Sequence, residues 1–375
     1  MNKENRLEFL DSLRGLASIA VVLSHFFIAY GIDTRFKVVT YSPFHFFFDG
    51  FAAVTFFFIL SGFVLTLSLD REKEFNIWSF YAKRIFRIMP SYLIVLFLSL
   101  LAYSQYSIIH TKPESTTWIN EFWSKPMSTI SFIKELFFIK TDNTADLVFQ
   151  NWTLNVEMAF SFLIPFLYLI LKKSSIFLFI IFNLVLLIFF NFSVFIFHFS
   201  LGMILAFSQT KIVTFVSGLN KKYKIGLLLL AILLYTYRYT IPMYYYYRYR
   251  QLNFLNNDTL IWILTGVGGY LLLLFVFISE KAKKILHIHF IRLLGRLSYT
   301  IYLVHGAVLI FVIPRLIIII NNFGIVNTYV VWALALIGLL LVTLLAATIL
   351  NKYVETPLVN YGNKMIKKNI TRLNG

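Results

Sequence analysis

LDSLRGLASIAVVLSHFFIAY, residues Leu10 to Tyr30, is apolar enough to enter a lipid bilayer, yet it carries Asp11 and Arg14 near one end and His25 toward the other. Ionisable groups inside a membrane helix are costly, so each needs a reason. At about 100° and 1.5 Å per residue, the eleven steps from Arg14 to His25 return the side chain to within about 20° of the same face, about 16 Å further along the axis. Asp11, three residues before Arg14, shares that face. One polar stripe therefore runs from a cation at one end of the helix to an imidazole deep within it.

The rest of the chain sets this helix in a membrane. Of 375 residues, 59% are hydrophobic and only 14% charged, a balance foreign to soluble globular chains of this length. Apolar runs of about the 20 residues needed to cross the hydrocarbon core recur from end to end, and no sizeable soluble domain fits between them. The expected fold is all-α, a single transmembrane domain over residues 1–375. Ten spans can be drawn, at roughly 8–30, 45–69, 80–105, 152–171, 175–191, 193–209, 225–241, 259–279, 297–320 and 328–350. The fifth is the weakest, being short and interrupted by Asn183.

An even number of spans puts both termini on one side. With that side cytoplasmic, 24 of the 34 Lys plus Arg residues fall inside, which fixes the orientation and accounts for the net charge of +17 as topology, with no nucleic-acid partner. The residues after about 351 form a short basic cytoplasmic tail. The longest extramembrane piece, about 106–151, lies outside, and long loops are often functional. A second outside segment, YTYRYTIPMYYYYRYR from Tyr235 to Arg250, reads as an aromatic belt or as a platform on which sugar faces stack. The N-terminus lacks the core and cleavage site of a removable signal peptide. There is no cysteine, hence no thiol or disulfide chemistry.

Other polar residues fall in or beside the spans. Glu157, in NWTLNVEMAFSF, enters from outside to a depth like that of His25, where a carboxylate can hold an imidazole's tautomer or serve a structural partner. Arg84 and Arg87, in YAKRIFRIMPSY, are neighbours at i, i+3 at the edge of the third span, as suits a phosphate or a positive-inside flank. In LGRLSYTIYLVHGAVLIF, Ser298, Tyr302 and His305 share a face in the inner half and middle of the ninth span, with Tyr299 nearby. Ser61 and Gly62, in FFFILSGFVL, permit close backbone approach. His45, His110, His198, His287 and His289 have no such partners in register and read as interfacial or structural. No zinc motif, phosphate-cradling glycine loop or nucleophile elbow is present.

These motifs, in order, resemble those of the acyltransferase family 3 membrane O-acyltransferases: LEFLDSLRGLASIAVVLSH, FFILSGFVL, AKRIFRIMPSY, NWTLNVE, LSYTIYLVH and the terminal ETP from Glu355 to Pro357. The resemblance implies ten transmembrane helices in a bacterial cytoplasmic membrane. It also implies a cytoplasmic acyl-CoA donor, most simply acetyl-CoA, used as substrate with no permanently bound cofactor or metal. The acceptor would be a hydroxyl of an extracytoplasmic or lipid-linked carbohydrate. By motif position His25 would be the catalytic imidazole with Arg14 beside it, and Arg84 and Arg87 would bind the donor. The expected catalytic set is thus His25, Glu157, Arg14 and Asp11, and the donor-lining set Arg14, Arg84, Arg87, Ser61, Tyr302 and His305. Relatives sometimes continue into an extracytoplasmic hydrolase-like domain; here the expectation is that the membrane domain acts alone, as a homo-oligomer, or with a separate extracytoplasmic partner.

The chemistry fits such a stripe. A general base that removes the alcohol proton as the ester forms is worth about 10² to 10⁴ in rate, and His titrates near working pH. The donor's charged end stays at the cytoplasmic mouth against arginines while its pantetheine arm reaches inward. The rival reading is an exporter of a glycan or lipid-linked intermediate, for which internal repeats or paired broken helices are expected and none is found.

Overall fold

The computed structural model describes residues 5–71, 76–105, 115–139, 146–189, 193–240 and 257–373. Among them there is no strand, and helices account for nearly everything. In chain order the main ones are α1 (Asn5–Ala29), α2 (Gly50–Arg71), α3 (Ile77–Ser104), α4 (Thr129–Leu136), α5 (Asn151–Lys173), α6 (Ile176–Phe189), α7 (Phe195–Ser217) and α8 (Lys221–Tyr235). They continue with α9 (Asp258–Ile278), α10 (Glu280–Leu286), α11 (His289–Ala307), α12 (Ile313–Asn322), α13 (Thr328–Leu350) and α14 (Thr356–Leu373).

Eight stretches of helix are long and apolar enough to cross a membrane. The fifth and seventh expected spans are the shorter helices α6 and α8, of 14 and 15 residues. Large apolar side chains such as Leu98, Leu101, Phe166, Leu341 and Leu345 are exposed, which suits hydrocarbon and not water. The molecule is an all-α, multi-pass membrane protein.

The two longest of the eight stretches each carry a π turn. Helix α11 starts at His289, eight residues before the expected 297, and passes through the turn Val308–Val312 into α12. Helix α13 passes through the turn Asn351–Glu355 into α14, so the expected basic tail is a continuous helix as far as Leu373. Each turn is followed two residues later by a proline, Pro314 and Pro357. A proline has no N–H for the carbonyl four residues back, and its ring crowds that carbonyl; the wider turn relieves both.

Contacts cluster into two compact units: residues 1–21, 36–75 and 159–296, and residues 22–35, 76–158 and 297–375. The first is organised by glycines. A Cβ on Gly62 of α2 would strike the Phe199 carbonyl of α7, and one on Gly202 would strike the Ile59 carbonyl, so these two helices touch backbone to backbone. Helix α9 meets the end of α8 likewise, Gly268 against Tyr235. His198 is buried there and its Nε2 is 2.9 Å from the Trp262 carbonyl, a structural role.

The second unit holds the segments 115–139 and 146–150, which fall in the loop expected outside. Thr116 closes the end of α1, its N–H donating to the Ala29 carbonyl at 2.8 Å and its hydroxyl to that of Ile28 at 3.0 Å. Trp123 Nε1 donates to the Leu147 carbonyl at 3.3 Å, and the Tyr92 hydroxyl of α3 donates to the Glu135 carbonyl at 2.7 Å. The Glu135 side chain is fully buried and accepts from the Val148 N–H at 3.4 Å. The Tyr235 to Arg250 segment falls largely outside the described residues.

Burial, and after it the nearby Asp146 carboxylate, push the Glu135 carboxyl up to about 8. An acid whose pKa rises on folding binds its proton more tightly in the folded form. The stability it lends is therefore full below about pH 4.5 and is lost as pH climbs from there toward 8. Limited proteolysis of the wild type should cut this segment faster at pH 8 than at pH 5, and Glu135→Gln should flatten that dependence; equal pH dependence in both proteins would remove Glu135 as its origin.

Candidate active site

The buried chemistry of the second unit centres on two imidazoles. His25 Nδ1, near the end of α1, lies 2.9 Å from His305 Nε2 of α11, with the rings nearly parallel at 9°. His305 Nδ1 lies 2.7 Å from the Tyr302 carbonyl. A carbonyl only accepts, so His305 Nδ1 bears the proton and, in the neutral ring, Nε2 is an acceptor. His25 must therefore donate through Nδ1, which leaves its Nε2 lone pair unprotonated.

The elements around the pair hold this arrangement. Gln150 Nε2 donates to the carbonyls of Tyr302 at 3.1 Å and Leu303 at 2.7 Å, one turn before the π turn. Thr153 at the start of α5 donates to the Gln150 carbonyl at 2.9 Å and so accepts from the Tyr302 hydroxyl at 2.6 Å. Gly306 is needed because a Cβ there would meet the Gln150 amide and the Phe149 ring. Over His25 stand Trp118, stacked at 5.6 Å, and Phe149, edge-on at 5.0 Å. Both rings come from the outer segment, which thus covers the imidazole with aromatic surface.

A charged cluster occupies the same unit. Arg84 Nη2 and Glu157 Oε1 are 2.6 Å apart, with both side chains largely buried. Arg84, Arg87, Glu157, Glu355 and Tyr299 act on one another electrostatically. The Tyr299 hydroxyl donates to the Ile88 carbonyl at 2.6 Å, and Glu355 accepts from Asn351 within the second π turn at 2.8 Å. Tyr299 and His305 lie on α11 six residues apart, about 9 Å along its axis.

Several sequence expectations change here. Glu157, expected to hold the His25 imidazole, is engaged by Arg84; the imidazole is held by His305 instead. The structure also joins His305 and Tyr302, expected to line the donor, to His25 through the His25–His305 contact. Their depth was misjudged because α11 begins at His289: counted from there His305 is about 24 Å along, level with the outer half where His25 was placed. Helix α3 starts at Ile77, so Arg84 and Arg87 lie two and three turns along it, Arg84 largely buried against Glu157 and Arg87 exposed. Arg14 pairs with Asp11 at 3.2 Å in the first unit, where Ser61 is buried on α2 beside Gly62.

Trp118, Phe149, Gln150 and Thr153 were not singled out from the sequence. Only Thr153 carried a signal, since it stands one turn before Glu157 on the same face of α5. No three His, Cys, Asp or Glu side chains among the described residues converge as a metal site.

The fold defines a multi-pass membrane protein whose second unit pairs two imidazoles, His25 and His305, beside the Trp118 and Phe149 rings. A family model described as an acyltransferase domain, Acyl_transf_3, matches residues 7–351, and the chain belongs to that family: it is a membrane acyltransferase. No curated protein and no solved structure matches the chain.

Glu157→Gln leaves Arg84 buried without its counter-charge and should destabilise the detergent-solubilised protein by roughly 2–4 kcal/mol. Arg84→Met combined with Glu157→Leu should cost less than the two single changes summed, as a thermal-unfolding double-mutant cycle will measure.

Proposed function

We propose that this protein transfers an acetyl group from acetyl-CoA to a hydroxyl of an extracytoplasmic or lipid-linked carbohydrate, with His25 Nε2 as the general base. The observation that carries this reading is the hydrogen-bond relay Tyr302 carbonyl, His305, His25, which leaves an oriented, unprotonated Nε2 on an imidazole flanked by aromatic rings. Aromatic faces are well suited to a sugar ring.

In this mechanism the acceptor hydroxyl gives its proton to His25 Nε2 as its oxygen bonds to the thioester carbonyl carbon. The tetrahedral intermediate collapses by breaking the carbon–sulfur bond, and the leaving thiolate takes the proton from the imidazolium, so the base is restored. His305 positions His25 and shares the imidazolium's charge through its Nε2 lone pair. Arg84 and Arg87 are the polar contacts of the incoming donor, held by Glu157 and Glu355. Arg14, with Asp11, provides a further cation on α1. The donor arrives as a substrate, and no resident cofactor is invoked.

A two-step route through an acetyl-His25 intermediate uses the same Nε2, and label retained on His25 in the absence of acceptor would identify it.

The test is thiol release from acetyl-CoA together with transfer of labelled acetyl to the glycan fraction of membranes carrying the protein. His25→Ala should abolish transfer while leaving insertion intact; transfer at the wild-type rate would refute the assignment. His305→Ala should lower kcat about 10²-fold with little change in donor KM, because it removes the partner that aims His25 and not a donor contact. Unchanged kcat would return His305 to a structural role.

A further inference from the structure

Where α1 ends, in the second unit, the chain reads YGIDTRF, Tyr30 to Phe36. Gly31 takes a φ of 65°, a left-handed conformation that glycine reaches without strain. Its carbonyl accepts from the Thr34 hydroxyl at 2.9 Å and from the Arg35 N–H at 3.2 Å. The chain thus leaves the axis of α1 and makes one further helical turn, Ile32–Arg35. In the same unit α13 begins under an Asn327 cap, whose Oδ1 accepts from the N–H groups of Tyr329 at 3.1 Å and Val330 at 3.3 Å. Thr328 and Trp332, at i, i+4, share one face of the helix that follows.

Between these two ends lies an open cavity of about 520 Å³, lined by Tyr30, Gly31, Thr34, Arg35, Thr328 and Trp332. That volume falls within the range of small-molecule sites, about 300–1,000 Å³. It stands at the end of α1 that carries His25, since Tyr30 is only five residues further on, about 8 Å along the axis. The distribution of Lys and Arg assigns this end to the outside.

The lining has a particular chemistry. The guanidinium carbon of Arg35 lies 5.1 Å from the Trp332 ring centre and 5.9 Å from that of Tyr329, two rings set edge to face. Among the described residues Arg35 forms no ion pair. Ring faces therefore hold its charge, while its N–H edge is left for the paired oxygens of a carboxylate. Arg35 is the one charged side chain among the described lining residues, and the neighbouring Asp33 does not line the cavity. Thr34 donates its proton to Gly31, so its oxygen is an acceptor for a ligand hydroxyl, and Thr328 offers a second hydroxyl. Tyr30 and Trp332 are 3% and 7% exposed, which makes them walls; rings that anchor a helix at the lipid interface turn outward. An arginine here also runs against the bias that keeps Lys and Arg on the cytoplasmic side.

We propose that this cavity holds one carboxylate-bearing sugar residue of the acceptor. Arg35 takes the carboxylate, Thr34 and Thr328 the ring hydroxyls, and the aromatic walls the sugar's C–H face. The proposal rests on the carbohydrate-acceptor reading above and narrows it to acidic glycans. One guanidinium balances one carboxylate, whereas a lipid-linked diphosphate carries more charge than Arg35 alone can meet.

The full-length protein is reconstituted in phosphatidylcholine nanodiscs and titrated by saturation-transfer NMR with methyl glycosides of glucuronic, galacturonic and N-acetylneuraminic acids, each beside its carboxyl-reduced counterpart. For at least one pair the wild type is expected to bind the acid about tenfold more tightly, as a charge-assisted hydrogen-bonded pair supplies. Arg35→Ala should bring that ratio near one, and Arg35→Lys should keep part of it. Arg35 is exposed, so its loss leaves packing intact, which an unchanged thermal midpoint verifies. No preference for any of the acids in the wild type, or a preference unmoved by Arg35→Ala, overturns the cavity assignment. Binding needs no acyl donor, so the reaction is tested separately: nanodiscs that bind the acid but release no thiol from acetyl-CoA in its presence support the cavity and overturn the acetyl-transfer reading. If Arg35→Ala instead abolishes only the thermal stabilisation gained on replacing phosphatidylcholine with phosphatidylglycerol, the cavity is a lipid-headgroup site and the acidic-sugar proposal fails.

Discussion

The hydrogen bond from His305 Nδ1 to the Tyr302 carbonyl is short and local, within one turn of α11, yet the proton placement of the whole site follows from it. Because the carbonyl can only accept, the outer nitrogen of His305 must accept from His25, and the far nitrogen of His25 must be bare. The surrounding contacts keep that carbonyl where it is. Gln150 binds it and its neighbour, Thr153 receives the Tyr302 hydroxyl, and Gly306 leaves room for the glutamine to approach. The π turn beside them is the backbone's answer to Pro314, and its widened geometry falls in the turn that follows His305.

A membrane interior makes every such group expensive, and the protein meets that cost by pairing. Imidazole faces imidazole, Arg84 faces Glu157, and Arg87 has Glu355 within electrostatic reach. This logic explains how Arg84 stays largely buried two turns inside α3. Each carboxylate that balances these arginines comes from a different helix, α5 for one and the π turn before α14 for the other. The outer segment completes the site by laying Trp118 and Phe149 over His25, and Thr116 binds that segment to the end of α1 through two hydrogen bonds.

Much of this was legible from composition and pattern. The apolar runs determined an all-α multi-pass fold, since only helices with internally satisfied backbones cross a bilayer. The ionisable residues His25 and Glu157 stood out within apolar runs, and Arg84 and Arg87 at the edge of one, because hydrocarbon tolerates such groups only for cause. The ordered motifs named the family that residues 7–351 match. What they share is that each follows from the identity of a residue and its distance along one helix, quantities that a linear chain contains.

Partnership was decided only by the tertiary structure. Glu157 pairs with Arg84 and not His25, and His305 pairs with His25, because a helix's lateral neighbours and its starting residue are set by packing. The eight extra residues at the front of α11 moved His305 by about 12 Å relative to a start at 297, enough to carry it from the expected inner half to the level of His25. The glycine contacts at Gly15 and Gly295, which gather Glu8, Asp11, Arg292 and Arg296 around one cavity, were equally invisible, since a glycine in a sequence does not say what it is making room for. Spacing along a helix is local geometry; which faces meet depends on how apolar surface and backbone approach are satisfied across residues hundreds of positions apart.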